Sequence, residues 1–139
     1  MRCIRGDGDG PVRLVAGREV QVGSVGAAVE ALPVVACPAG HEDPAAVGDH
    51  ALDRVREVLP AARSRLLRGD ACIRCGAPLT MPSRRTVRSV TVPARDEVPV
   101  LTLTFDLPST RCVECGADQV PSRAVEDLTA ATLAVLAPR

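Results

Sequence analysis

Two Cys-x-x-Cys-Gly turns, Cys72 to Gly76 and Cys112 to Gly116, constrain this chain more than any other feature. Two thiolates three residues apart, on a tight turn opened by glycine, can face a single ion. Two such turns supply the four sulfurs of a tetrahedral structural site. Between them lie TVRSVTV and VLTLTFDL, in which Val90, Val92, Leu101, Leu103, Phe105 and Leu107 recur with period two. That alternation predicts a β-hairpin that brings the turns together. Four cysteine ligands leave no open position, so a zinc ion held by Cys72, Cys75, Cys112 and Cys115 is expected to be structural rather than catalytic.

The rest of the composition makes such a staple useful. Among 139 residues there is no Trp or Tyr, and Phe105 is the only aromatic ring. A core of Val, Leu and Ala buries less area per residue than one containing aromatics, and units of about 70 residues are marginal without a staple. The same poverty of rings argues against a rubredoxin-like iron site, which packs aromatic residues around its metal. A redox pair of thioredoxin type calls for one Cys-x-x-Cys at a strand–helix junction of a βαβ unit, not two such turns around a hairpin. The opening MRCIRGDGDG has no apolar signal-peptide core, and the run LTAATLAVLA is too short to span a bilayer. The expectation is a soluble cytoplasmic protein with reduced thiols and no membrane partner. All 17 basic residues are Arg, which with the Ala, Val and Gly bias suggests a GC-rich bacterial source.

The chain also echoes itself. CIRG at Cys3 matches CIRC at Cys72, and LPVVACPAGH (Leu32 to His41) matches LPSTRCVECG (Leu107 to Gly116). A helical pattern follows each. Asp49 precedes Leu52, Val55, Val58 and Leu59 in the first, and Ser122 precedes Val125, Leu128, Leu133 and Leu136 in the second. RLVAGREVQV carries strand alternation with a turn expected at Gly17. GSVGAAVEAL reads equally well as strand or short helix, and AARSRLLRG after Pro60 suggests another short helix. The expected fold is therefore α+β, a tandem pair of small zinc-ribbon modules each followed by an α-helix. Residues 1–69 form the divergent copy and residues 70–139 the four-cysteine copy.

The first copy lacks two of the four cysteines, yet it holds both histidines of the chain. Cys3, Cys37, His41 and His50 would form a set of two thiolates and two imidazoles, with Asp7 or Asp9 as substitutes for His50. The same residues also fit a metal-free copy in which Cys3 and Cys37 are small buried hydrophobes. A three-ligand site that activates water is the third option, though no general base stands beside it. One or two zinc ions per chain are thus expected.

CIRCG, a Val/Thr-rich hairpin ending in Leu-Pro, CVECG and the following PSRAVEDL resemble the YgiT-type zinc-ribbon family, the N-terminal module of MqsA-type antitoxins, over residues 70–136. The resemblance implies a structural zinc on Cys72, Cys75, Cys112 and Cys115 and a domain surface that contacts a protein partner, often a toxin. In that family a separate helix-turn-helix domain binds DNA, and these 139 residues carry none after the ribbon.

Function is read accordingly as a non-enzymatic interaction module that binds, and can regulate, a protein partner. The acidic pairs Glu42–Asp43, Asp96–Glu97 and Glu126–Asp127 are sequence neighbours and read as solvated loops or helix N-termini. Ser64, Ser83 and Ser109 have no histidine near them in sequence. The rival reading is nucleic-acid binding. Net charge is zero, but residues 54–95 hold ten Arg against Glu57 and Asp70, including Arg84, Arg85 and Arg88 beside the hairpin and Arg54, Arg65 and Arg68 before it. Arginine pairs well with phosphate, whereas the lack of aromatic rings removes the stacking platform for single strands.

Overall fold

In the computed structural model, which describes residues 1, 8–38 and 40–137, strands pair antiparallel throughout the main sheet and two helices pack over it. β1 (Val12–Val22) and β2 (Val25–Ala36) form a first long hairpin, and the short β3 (Glu42–Pro44) folds back along β2 before α1 (Gly48–Val58). β4 (Arg63–Arg65) and β5 (Gly69–Ala71) make a small separate hairpin. β6 (Arg84–Val92) and β7 (Leu101–Arg111) form the second long hairpin. The short β8 (Asp118–Gln119) folds back along β7, and a 3-10 turn at Ser122–Ala124 opens α2 (Val125–Val135). The class is α+β, as expected. Strand order is β1-β2-β7-β6, and the hairpins meet where Gly26 to Val29 pair with Asp106 to Leu103. Residues 1–69 and 70–139 therefore each give one hairpin to one shared sheet.

Period-two alternation decides which face is buried. Val25, Ala27 and Val29 of β2 and Leu101, Leu103, Phe105 and Leu107 of β7 all turn inward. Ala51, Leu52 and Val55 of α1 and Leu128, Ala131 and Val135 of α2, spaced three and four apart, cover them. Leu133, expected on the apolar face of α2, lies 39% exposed, and Ala131 and Thr132 are buried instead.

Three local expectations give way to tertiary pairing. Gly17 lies within β1 and makes no turn, because β1 pairs with β2 on both sides of it; glycine is needed there, where a Cβ would stand 1.8 Å from the Val29 carbonyl oxygen. The turn falls at Gly23–Ser24, where Gly23 has φ of 54°. GSVGAAVEAL is strand from Val25 onward, since its small residues let β2 lie between β1 and β7. AARSRLLRG is no helix. Ala62 N–H donates to the Val120 carbonyl and Val120 N–H to the Pro60 carbonyl, which holds the entry extended before the β4–β5 hairpin.

The Gly23–Ser24 turn is locked from the other half of the chain. Asp127, on the first turn of α2, accepts from the Ser24 backbone N–H and from its hydroxyl, both at 2.9 Å. The backbone bond first, and the hydroxyl second, hold its carboxyl below the usual carboxylate range. A folded-state pKa below the unfolded one stabilises at pH above the unfolded value, about 3.9, and the contribution is lost as pH falls through the folded value. Asp127→Ala is therefore expected to lower the melting temperature by a constant amount above about pH 5. The gap to wild type should close progressively below about pH 4 in parallel thermal melts. A gap that is independent of pH would show that the carboxylate charge is not what locks the turn.

Candidate metal centre

The two Cys-x-x-Cys turns close on the same backbone pattern. Cys72 N–H donates to the Ala77 carbonyl and Gly76 N–H to the Cys72 carbonyl; Cys112, Gly116 and Ala117 repeat both bonds, at 2.8–2.9 Å. Gly76 and Gly116 have φ of 78° and 75°, a conformation that favours glycine. The β6–β7 hairpin then sets the turns side by side. Cys72 Sγ is 3.6 Å from Cys115 Sγ, Cys75 Sγ is 3.6 Å from Cys112 Sγ, and all four sulfurs lie within 4.8 Å of one another. These separations are far longer than a disulfide bond, about 2.05 Å. They approach the edge of a tetrahedron with zinc–sulfur bonds of about 2.3 Å, an edge of about 3.8 Å. The four thiols are free of disulfides, and the set is geometrically suited to zinc.

Electrostatics point the same way. Cys72 is pulled down to about 6, chiefly because the Gln119 side-chain amide donates to its sulfur at 3.2 Å, with backbone N–H groups of the turn adding to it. Cys75 is pushed up to about 12: the Ala77 backbone bond favours its thiolate, but desolvation and the sulfurs of Cys112, Cys115 and Cys72 outweigh it. Cys115 is raised as well: the Ala117 backbone bond pulls it down, but desolvation and the Cys72 sulfur outweigh that pull. Four sulfurs this close cannot all ionise unaided. A divalent cation held at their centre would reverse that balance.

Gln119 is a site residue that sequence reasoning missed. It is 2% exposed, its Oε1 accepts from the Ile73 N–H at 2.7 Å, and its Nε2 reaches both Cys72 Sγ and the Ala117 carbonyl. One amide thus ties the second turn to the first and orients the Cys72 sulfur, the role a second partner plays at a metal site. Its one sequence signal is a polar residue seven positions after Cys112, beside the apolar Val120.

The first half has a turn and a return strand of similar form. Gly40 N–H donates to the Cys37 carbonyl and Cys37 N–H to the His41 carbonyl, a turn one residue shorter than that at Cys112. Asp43 pairs with Val35 across β3 and β2, as Gln119 pairs with Thr110 across β8 and β7. Asp43 is 2% exposed, with Oδ2 3.4 Å from the Cys37 sulfur and 3.2 Å from His41 Nε2. Cys37, His41 and Asp43 therefore converge. His50 does not join the cluster. It is on α1, with Nε2 3.1 Å from the Pro93 carbonyl oxygen, because helix α1 packs against β6 and carries it away from the Cys37 turn. Asp9 is exposed, and Cys3 and Asp7 lie outside the described residues.

The arginines divide by strand face. Arg85 is tied to Asp106 and to the Ser24 carbonyl. Arg54 bonds Glu57 and the Thr91 carbonyl, and Arg65 bonds the Arg68 carbonyl. Arg84 and Arg88, on the opposite face of β6 from Arg85, have no hydrogen-bond or ion-pair partner among the described residues. With Arg111, Val87, Met81 and Val113 they line a groove of about 590 Å³ that runs to the Cys112 turn.

No helix among the described residues is long and apolar enough to cross a membrane. No protein-family model, curated protein or solved structure matches the chain.

Proposed function

We propose that this chain is a non-enzymatic zinc-ribbon module, in which one structural Zn²⁺ on Cys72, Cys75, Cys112 and Cys115 holds the β6–β7 hairpin rigid for a protein partner. The observation that carries this reading is the closed four-sulfur set, which leaves a metal no coordination position for substrate or water. The tandem-ribbon reading, an altered copy in residues 1–69 before the four-cysteine copy, is supported by the matched order of hairpin, glycine turn, short return strand and helix. Asp43 at the register position of Gln119 adds to it. The resemblance to the antitoxin ribbon family makes regulation of the partner part of the proposal. Arg85 is consumed by Asp106, which leaves the nucleic-acid reading fewer free cations than Arg84, Arg85 and Arg88 promised.

Native mass spectrometry with metal analysis tests the metal. One zinc per chain is expected in the wild type and in His50→Ala, and none in Cys72→Ser. A wild type without zinc, or zinc kept by Cys72→Ser, would sink the reading.

A further inference from the structure

We propose that the outer edge of β6, with the groove beside the Cys112 turn, binds an extended acidic peptide segment of a partner protein as an added strand. This inference rests on the interaction-module reading above and names the partner's chemistry. β6 ends the strand order, so one of its sides has no neighbouring strand. The Thr91 carbonyl accepts from Arg54 Nε at 3.2 Å and so points away from β7. Backbone polar groups of every second residue of an antiparallel strand share a side, which places the N–H and C=O of Val87 and Ser89 on that open edge. Neither residue makes a backbone hydrogen bond outside the sheet among the described residues. The stretch of this edge from Arg84 to Ser89, before Arg54 takes the Thr91 carbonyl, carries no proline or bulge to blunt it and is a template for strand addition.

Charge selects the occupant. Arg84 and Arg88 share a strand face and stand about 13 Å apart at about 3.3 Å per residue. Arg111 joins them, and against the three stands only Asp118 among the groove residues. Arg111 chelates Asp118 through two hydrogen bonds, whereas Arg84 and Arg88 act on it only at longer range. Val87, 69% exposed, projects from the other face between them. An added strand with carboxylates at alternate positions meets the arginines on one face and can cover Val87 with apolar residues on the other. The Cys112 turn forms one wall of the groove, so metal occupancy and binding are coupled.

The test is fluorescence anisotropy with the zinc-loaded full chain and a fluorescein-labelled decapeptide of alternating Glu and Val. Saturable binding is expected, weakened at least tenfold in the R84E/R88E double variant and by full N-methylation of the peptide, which removes its backbone donors. Both changes leave the cysteines untouched, so zinc content and melting temperature report that the fold is kept. Equal binding of a Lys/Val peptide or of the N-methylated peptide would overturn the proposal. So would displacement of the acidic peptide by a uridine dodecamer that binds more tightly through the same two arginines. A chain that keeps its zinc yet binds no acidic peptide overturns this inference alone, and a chain that holds no zinc overturns the reading beneath it.

Discussion

Withholding or chelating the proposed zinc is expected to abolish the cooperative thermal transition of this protein or lower its midpoint by about 20 °C or more (about 5 kcal/mol at about 4 °C per kcal/mol). Cys72 and Cys112 are 2% and 1% exposed and sit at the junction of β5 with the first turn and of β7 with the second. With no cation between them, four sulfurs packed within 4.8 Å must stay protonated or repel one another. Structural zinc contributes about 10–16 kcal/mol of apparent folding free energy in small peptides, as much as the whole stability of an ordinary domain, about 5–15 kcal/mol. The loss does not stay local, because β7 is paired to β2 as well as to β6. Circular dichroism melts with excess chelator and a thiol reductant, and of Cys112→Ser, are the measurement. A shift of less than about 5 °C in both would mean the four sulfurs do not carry the fold.

How far the fold was legible follows from what kind of force fixed each part. The four-cysteine set and the β6–β7 hairpin were legible because ligand spacing and period-two alternation are properties of contiguous residues. Both helices were legible for the same reason, with Leu52, Val55 and Leu128 on their buried faces. What failed was decided by partners distant in sequence. Gly17 reads as a turn residue until the Val29 carbonyl is placed against it. AARSRLLRG has a helical composition, but Ala62 bonds Val120 and Arg63 to Arg65 pair with β5. The hairpin it forms places Leu66 and Leu67 at an exposed tip. His50 has the correct chemistry for a ligand, and only the packing of α1 on β6 directs it to Pro93. Gln119 and Asp43 are ordinary polar residues until the return strands bring them to sulfurs. Spacing identifies ligands; what orients them comes from the sheet.

The second large effect belongs to Phe105. It is fully buried at the middle of β7, between Leu103 and Leu107 on the same face, and across from Ala27 on β2 and Arg88 on β6. It is the one Phe, Tyr or Trp of the sequence and belongs to the same buried cluster as Ala27 of β2, its register partner. Its neighbours are poorly able to refill a hole, because β-branched Val25, Val29, Val90 and Val92 are stiff at χ1 and Ala27 has no side chain to extend. Phe105→Ala is expected to cost about 3–5 kcal/mol, toward the upper end for a site that cannot collapse. Phe105→Leu, which restores most of the volume, should cost less than half as much. Urea unfolding with unchanged slope m measures both, and zinc content separates this cavity from the metal. The Phe105→Ala chain, with all four sulfurs intact, should still bind one zinc in native mass spectrometry at low temperature. A cost below about 1 kcal/mol would mean that the core is held by its helices and the four-cysteine site, with the centre of the sheet left slack.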